Sequence, residues 1–141
     1  MDRDIQTSLD ELQDKIDAEV LQKMGPEVYE RWKNPGYMGK MTNYHAWASA
    51  TGSCGNVIEI YLCAQKGYVS QASFFSEGCG SSVVCASVVC EWAEGKRVEH
   101  LLDLTEDEVM QSLPGLPASK KRYAQMAVQA MHRASRALIS K

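Results

Sequence analysis

Residues 8–24 have the spacing of an amphipathic helix. Ser8-Leu-Asp-Glu11 forms a capping box, and Gly25-Pro26 ends the apolar repeat. The repeat consists of Leu9, Leu12, Ile16, Val20 and Met24. A second, short helix is predicted from Pro26 to about Trp32, because proline is well tolerated at the first helical position and Asn34-Pro-Gly36 follows.

The middle of the chain alternates between apolar and polar positions as β-strands do. Over Val57 to Ala64 one face carries Ile58, Ile60 and Leu62, and the other face carries Val57, Glu59, Tyr61 and Cys63. Lys66-Gly67 supplies a turn, and Tyr68 to Phe75 continues as a second strand. Ala46 to Thr51 is predicted as a third strand in an otherwise loop-rich stretch.

After Gly78-Cys-Gly80 the period becomes helical. Ser81 to Glu94 is apolar nearly all round, which predicts a buried helix. Thr105-Glu-Asp-Glu108 is a capping box before a short helix, Leu113 to Pro117 ends that helix, and Ala118 to Ser140 forms the last one.

Strands followed by helices predict an α+β fold. We expect a small three-stranded antiparallel sheet with helices packed on one face. The helical pattern before Pro26 divides the chain into an N-terminal helical extension, residues 1–25, and a domain spanning residues 26–141. Since 141 residues are enough for one hydrophobic core and few for two, one globular domain is expected.

Composition and charge narrow the function classes. The net charge of −3 argues against nucleic acid as the partner, and the basic run Lys120-Lys-Arg122 is expected to be a solvated helix face. The first residues lack the apolar stretch of a signal peptide, and no segment has the length needed to span a bilayer. We therefore expect a cytoplasmic protein with reduced thiols.

Five cysteines in a reducing compartment indicate metal binding, thiol chemistry or core packing rather than a disulfide framework. Cys54 and Cys79 each lie among small residues, just before the first hairpin strand and just after the second. Because a hairpin brings its outer ends together, we expect these two thiols to be neighbours. Cys79 also precedes a helix, whose positive end favours the thiolate.

The other three cysteines are expected to have lesser roles. Cys85 and Cys90 lie inside the apolar helix, where a free cysteine usually behaves as a small hydrophobic residue. Cys63, near the end of its strand, is a weak candidate for a third thiol.

Several ordered motifs resemble the NifU/IscU-like family of iron-sulfur scaffolds. Asn34-Pro-Gly-Tyr-Met-Gly39 resembles the family's Asn-Pro segment, Ala50-Thr-Gly-Ser-Cys-Gly55 its first-cysteine loop, and Gly78-Cys-Gly-Ser81 its second. Glu91-Trp92, Gly95-Lys96 and Leu116-Pro117 follow in the family's order. The resemblance covers about Val28 to Ala137.

The resemblance implies a sandwich fold and a scaffold function rather than an enzymatic one. Such proteins receive sulfur as a persulfide from a cysteine desulfurase, collect iron, assemble a two-iron two-sulfur cluster and pass it to acceptor proteins. Cys54 and Cys79 would be the metal ligands, with Asn56 beside them. Thiolates suit iron-sulfur clusters because they are soft ligands. No nucleophile–base–acid set or phosphate loop is visible, so no catalytic turnover is expected.

The sequence departs from the family pattern at the remaining ligand positions. Asn56 stands where the family has an aspartate, and Arg122-Tyr123 stands where it has a histidine and the third cysteine. Ala118 and Ser119 alter the motif that an Hsp70-type chaperone recognises, which puts that partner in doubt.

Because a cluster normally takes four ligands, several interpretations stay open. A symmetric homodimer would bring four thiolates together. A cluster-free persulfide carrier could use Arg122 to stabilise the sulfur's charge, and a regulatory module would dock on the desulfurase machinery without chemistry. Zinc is an alternative metal, with His45 or another nitrogen completing a tetrahedral site. His100 and His132 are expected to be surface residues without a role.

Overall fold

The computed structural model describes Leu12, Lys15, Glu19 and residues 22–52, 55–77 and 80–140. Most of the predicted N-terminal helix therefore lies outside the described residues, although positions 12, 15 and 19 are helical. The proposed domain boundary at residue 26 stays a prediction. The helices are α1 (Pro26–Lys33), α2 (Gly80–Ala93), α3 (Glu106–Gln111) and α4 (Lys121–Ile139); the strands are β1 (Ala46–Thr51), β2 (Val57–Gln65) and β3 (Tyr68–Glu77).

The three strands form one antiparallel sheet in the order β1-β2-β3. In its centre Ile60 pairs with Ala48 on one side and with Phe74 on the other. The β2–β3 hairpin turns at Lys66-Gly67, where both residues have positive φ angles of 55° and 83°. The α+β class and the three-stranded antiparallel sheet are thus confirmed.

The core lies between one face of the sheet and two helices. Ile58, Ile60 and Leu62 are fully buried, in agreement with their predicted shared face. On that face α4 packs against β1 and β2, and α2 packs against β3. The helix predicted to be apolar all round is indeed buried on nearly all sides. Burial of this kind is worth about 25 cal/mol per Å² of apolar surface, so these layers dominate stability.

The opposite face of the sheet is crossed by the segment that precedes β1. Gly39 donates its backbone N–H to Phe74 O at 2.7 Å, and Phe74 N–H donates to Tyr37 O at 2.8 Å. Further along, the Tyr44 ring lies edge-on to Tyr61 with centroids 5.5 Å apart. The predicted loop is therefore fixed to the outer edge of β3 and to the outer face of β2.

The last helix begins differently from its prediction. Ala118–Lys120 forms a turn of 3-10 helix, and the α-helix itself starts at Lys121. Pro117 precedes that turn and no side chain caps it, so the tighter hydrogen-bonding pattern serves the first backbone groups instead. At α3 the predicted cap is present, since Thr105 Oγ1 accepts from Glu108 N–H at 3.3 Å.

Among the residues that the structure describes, no helix has the length and apolar character needed to cross a membrane.

Candidate functional site

One end of the sheet anchors both cysteine-bearing segments. Thr51, Val57 and Glu77 form one cross-strand row, with Val57 paired to Thr51 on one side and to Glu77 on the other. Neighbouring strands lie about 4.8 Å apart, so the outer two members of the row are about 10 Å from each other. The chain leaves β1 and β3 at this row, and both departing segments begin at the same edge.

The two predicted thiols, Cys54 and Cys79, lie outside the described residues, as do Ser53 and Gly78. The residues that flank these two pairs are described. Gly52 and Gly55 enclose the first segment, and Glu77 and Gly80 enclose the second. The closeness of the two sulfur atoms stays a prediction that this arrangement supports.

The loop that contains position 54 is closed by its own backbone. Gly52 N–H donates to Asn56 O at 2.8 Å, and Gly55 N–H donates to Gly52 O at 3.0 Å. Gly55 adopts a φ of +83°, in the left-handed region that favours glycine. At Gly52 a Cβ atom would lie 2.8 Å from the Met126 Sδ atom of α4. The loop is therefore short, closed and packed tightly on the last helix.

The second segment connects a strand directly to a helix. Glu77 ends β3, and Gly80 is the first residue of α2. A buried hydrogen bond between the hydroxyls of Ser76 and Ser82, 2.9 Å apart, ties the strand to the first helical turn. Position 79 directly precedes the first turn of α2, whose N–H groups and positive end favour an anion. The thiolate form of Cys79 stays a prediction.

Three residues at the expected ligand positions meet beside these segments. The Tyr123 hydroxyl, on a side chain that is 4% exposed, accepts hydrogen bonds from Asn56 Nδ2 at 3.5 Å and from Arg122 Nη2 at 3.1 Å. The Arg122 guanidinium also stacks on the Tyr123 ring, 4.9 Å from its centroid. Asn56, predicted from its sequence position, is therefore part of a polar network that reaches α4.

This network offers hydrogen-bond donors rather than metal ligands. A guanidinium has no lone pair for a metal, and Asn56 points its amide nitrogen at the tyrosine. Within residues 22–52, 55–77 and 80–140 no group of three or more His, Cys, Asp or Glu side chains could hold a metal ion. Cys54 and Cys79, which lie outside the described residues, stay the predicted metal ligands.

Cys63 and His45 lie at the other end of the sheet. Cys63 pairs with Gln71 near the hairpin turn, and its Sγ approaches Met41 Sδ at 3.7 Å. His45 Nδ1 accepts from Ala64 N–H at 2.9 Å. Six residues of strand separate Cys63 from Val57, or about 20 Å. Both the third-thiol interpretation of Cys63 and the use of His45 as a zinc ligand beside the cysteines are therefore wrong within one chain.

The cysteines of α2 are packing residues, as predicted. Cys85 and Cys90 are fully buried. Burial, with a smaller contribution from the Glu94 carboxylate, raises the pKa of the Cys90 thiol far above its ordinary value. A thiol held in its neutral form is a poor nucleophile and a poor ligand.

The prediction for the histidines was correct for one of them. His100 is exposed. His132 is only half exposed, and its Nε2 lies 2.9 Å from Leu104 O, so it fastens α4 to the segment before α3.

The sequence patterns did not predict a groove along α4 that begins at Gly52. Its volume is about 570 Å³. It is lined by Gly52, Glu106, Arg122, Gln125, Met126, Val128, Gln129, His132 and Arg136. The sequence does show that α4 has no acidic residue, which indicates a basic surface. The basic run Lys120-Lys-Arg122 was interpreted only as a solvated helix face.

Known proteins resemble this chain in sequence and in fold. Iron-sulfur cluster assembly scaffold protein IscU 1 of Archaeoglobus fulgidus is 28% identical over 109 residues, which cover 77% of this chain and 71% of that protein. The IscU scaffold protein of Aquifex aeolicus is 25% identical over 113 residues, covering 75% and 69%.

The fold is also that of a solved structure. The N-terminal NifU-like protein of Brucella abortus superposes with a TM-score of 0.69 at 18% identity, covering 86% of this chain and 98% of that one. Residues 23–141 match the family model described as NifU-like N terminal domain. Since that match covers most of the sequence, the chain belongs to the NifU-like N-terminal domain family, as its motifs predicted.

Proposed function

We propose that this protein is an iron-sulfur cluster assembly scaffold that binds iron and sulfide or persulfide through Cys54 and Cys79 and passes them to acceptor proteins. The observation that carries the proposal is the cross-strand row at Thr51, Val57 and Glu77, which starts both cysteine segments at one edge. Membership of the NifU-like family and the IscU relatives support the same role.

The ligand count favours a cluster shared between two chains. A two-iron two-sulfur cluster takes four protein ligands, and each chain brings two candidate thiolates. The neighbouring Asn56 and Arg122 donate hydrogen bonds to the Tyr123 hydroxyl, and none of the three is counted as a cluster ligand. A symmetric dimer would place two pairs of thiolates around one cluster at the two-fold axis. Such a shared cluster is exposed to exchange, which suits cargo that must be released.

Anaerobic reconstitution with iron and sulfide tests this proposal. The native chain should develop the visible absorbance of a cluster, with one cluster for two chains and a dimeric mass in native mass spectrometry. Cys54→Ser and Cys79→Ser should each abolish the absorbance. Cys63→Ser is the matched control, because that thiol lies at the other end of the sheet. A native chain without a chromophore would contradict the scaffold function.

The proposed function also includes a sulfur source, a cellular location and a metal. A cysteine desulfurase would supply the sulfur in the cytoplasm, and the protein would perform no catalytic turnover of its own. Iron is proposed because the relatives are iron-sulfur cluster scaffolds, although two thiolates from each of two chains would also satisfy a tetrahedral zinc ion. Metal analysis of the protein as isolated distinguishes the two metals.

A persulfide carrier without a cluster is the second candidate. Arg122 supports it, since its guanidinium lies in the network beside the first cysteine loop and a cation stabilises a persulfide anion. Incubation with a desulfurase and cysteine should then give a chain heavier by one sulfur atom that retains no iron. If substitution of both cysteines changes neither readout, the chain acts as a docking module instead.

A further inference from the structure

The groove along α4 carries a small excess of positive charge although the protein is acidic, because Arg122 and Arg136 line it against the single carboxylate of Glu106. The chain carries 18 acidic and 15 basic residues, yet α4 has no acidic residue. Its basic residues are Lys121, Arg122, Arg133 and Arg136. Positive charge is therefore concentrated on the helix that forms the groove's floor.

Intramolecular contacts neutralise only part of this charge. Lys121 Nζ forms an ion pair with Asp107 at 2.9 Å. Arg133 Nη1 donates to Ser49 O at 2.7 Å, which fixes the helix to β1 without removing the charge. Within the described parts of the chain, neither Arg133 nor Arg136 forms an ion pair with a carboxylate. Arg136 thus keeps its positive field in the groove, and Arg133 keeps its own on the same helix outside the groove lining.

The other groove residues suit a polar occupant. Gln125 and Gln129 are exposed on the same helix, and Gln125 Nε2 already donates to Glu106 Oε1 at 3.4 Å. Amides of this kind bind backbone or carboxylate groups, and an arginine binds a carboxylate through two parallel hydrogen bonds.

We propose that this groove binds an acidic segment of a partner protein. The rest of the chain carries the excess of acidic residues, so it would repel a long polyanion such as nucleic acid, whereas a short run of Asp and Glu fits within the basic stretch. The groove starts at Gly52, two positions before Cys54, and a bound partner therefore lies alongside the cysteine end. This inference goes beyond the proposed function, because binding does not require cargo.

The test uses the full chain with both Cys54 and Cys79 replaced by serine, so that failure of the scaffold function cannot affect it. A fluorescein-labelled peptide with a run of about eight glutamates is titrated and followed by anisotropy, with the glutamine version as its control. The glutamate peptide should bind, and raising the salt from about 50 to 150 mM should weaken it. The glutamine peptide should not bind.

Single substitutions locate the binding surface. Arg136→Glu and Gln129→Glu should each weaken binding about fivefold or more, and Gln129→Lys should strengthen it. Lys66→Glu is the matched control, because it makes the same charge change at the hairpin turn and should have little effect. Equal losses for Arg136→Glu and Lys66→Glu would overturn the proposal, as would an absence of binding at low salt. Displacement of the peptide by an equal concentration of a single-stranded oligonucleotide would also overturn it.

Discussion

Single buried side chains determine how this protein responds to pH. Cys90 is fully buried in α2, and burial holds the pKa of its thiol far above the ordinary 9.0. Below that ordinary pKa the thiol is neutral in both the folded and unfolded states. Above it the unfolded chain loses the proton and the folded chain retains it, so stability must fall as the pH rises.

Cys90→Ala tests this dependence. The substitution should cost about 0.5–3 kcal/mol at pH 7, because it leaves a cavity in the core. Between pH 7 and about pH 10 the native protein should lose about 1.4 kcal/mol that the variant does not lose, so the stability gap should narrow. Urea unfolding of both proteins across this range measures the gap. A gap that stays constant with pH would contradict the assignment.

The Tyr123 hydroxyl joins the first cysteine loop to α4. Tyr123→Phe removes the acceptor shared by Asn56 and Arg122 and should lower the free energy of unfolding by about 0.5–1.5 kcal/mol. It should also shorten the lifetime of a reconstituted cluster or persulfide, measured by the decay of absorbance or of the sulfur adduct.

Tyr61→Phe is the control for that variant. The Tyr61 hydroxyl is similarly buried and donates to Glu59 Oε2 at 2.9 Å on the outer face of the sheet. It should cost similar stability but leave the lifetime of the cargo unchanged. Equal lifetimes of the cluster or persulfide in the two variants would show that the Tyr123 network does not stabilise the cargo.

At the scale of elements, the site depends on how a loop packs against a helix. Gly52 has a φ angle outside the left-handed region, so its need for glycine arises from the closeness of Met126. The sulfur atom belongs to a flexible side chain that shifts more easily than backbone does. A methyl group at position 52 therefore displaces the methionine and loosens the closed loop.

A double-mutant cycle measures this packing. Gly52→Ala should lower the free energy of unfolding by about 1–3 kcal/mol and weaken cargo retention. Met126→Ala alone should also destabilise, because the side chain is buried. Together they should cost less than the sum by at least about 0.5 kcal/mol, since the second substitution makes room for the first. Additive losses would contradict the steric explanation.

Sequence patterns predicted the elements well because their local and global signals agree. The alternation of Ile58, Ile60 and Leu62 and the cap at Thr105 were each enough to place an element. It was harder to predict from the sequence which residues lie close to the cysteine loops. Cys63 was considered as a third thiol because of the face it occupies, although its position beside the Lys66-Gly67 turn already places it at the opposite end of the strand from the cysteine loops.

Other features of the site had no local sequence pattern, although the resemblance put Asn56, Arg122 and Tyr123 at ligand positions of one site. The hydrogen bond between Asn56 and Tyr123 joins residues that are 67 positions apart along the chain. The one between Arg122 and Tyr123 joins neighbouring residues. The closeness of Gly52 to Met126 is equally non-local. Such contacts depend on the angle at which α4 crosses β1 and β2, which periodicity does not determine.

At the scale of the whole molecule, the departures from the family pattern define a gain-of-function test. Asn56→Asp, Arg122→His and Tyr123→Cys together install the ligands that the resemblance implies. Because Asn56 and Arg122 already contact Tyr123, the new groups would lie close to one another. The triple variant should retain zinc or a cluster as a monomer, measured by metal analysis and native mass spectrometry.

A second Arg–Tyr pair provides the control for that variant. Arg97 lies over the Tyr68 ring at 5.5 Å, near the hairpin turn. Arg97→His with Tyr68→Cys adds the same ligand types at the wrong end of the sheet and should leave metal content unchanged. Equal metal retention by both variants would show that added ligands act without regard to position.

The hairpin turn at Lys66-Gly67 is a suitable site for attaching a label or a tether. The ladder of strand pairs keeps this turn about 20 Å or more from the edge where the cysteine segments begin. A fluorophore or a surface tether attached at Lys66 would therefore leave that edge and the α4 groove accessible. When the protein is immobilised in this orientation, sulfur delivery, metal loading and partner binding could be measured one after another on a single preparation.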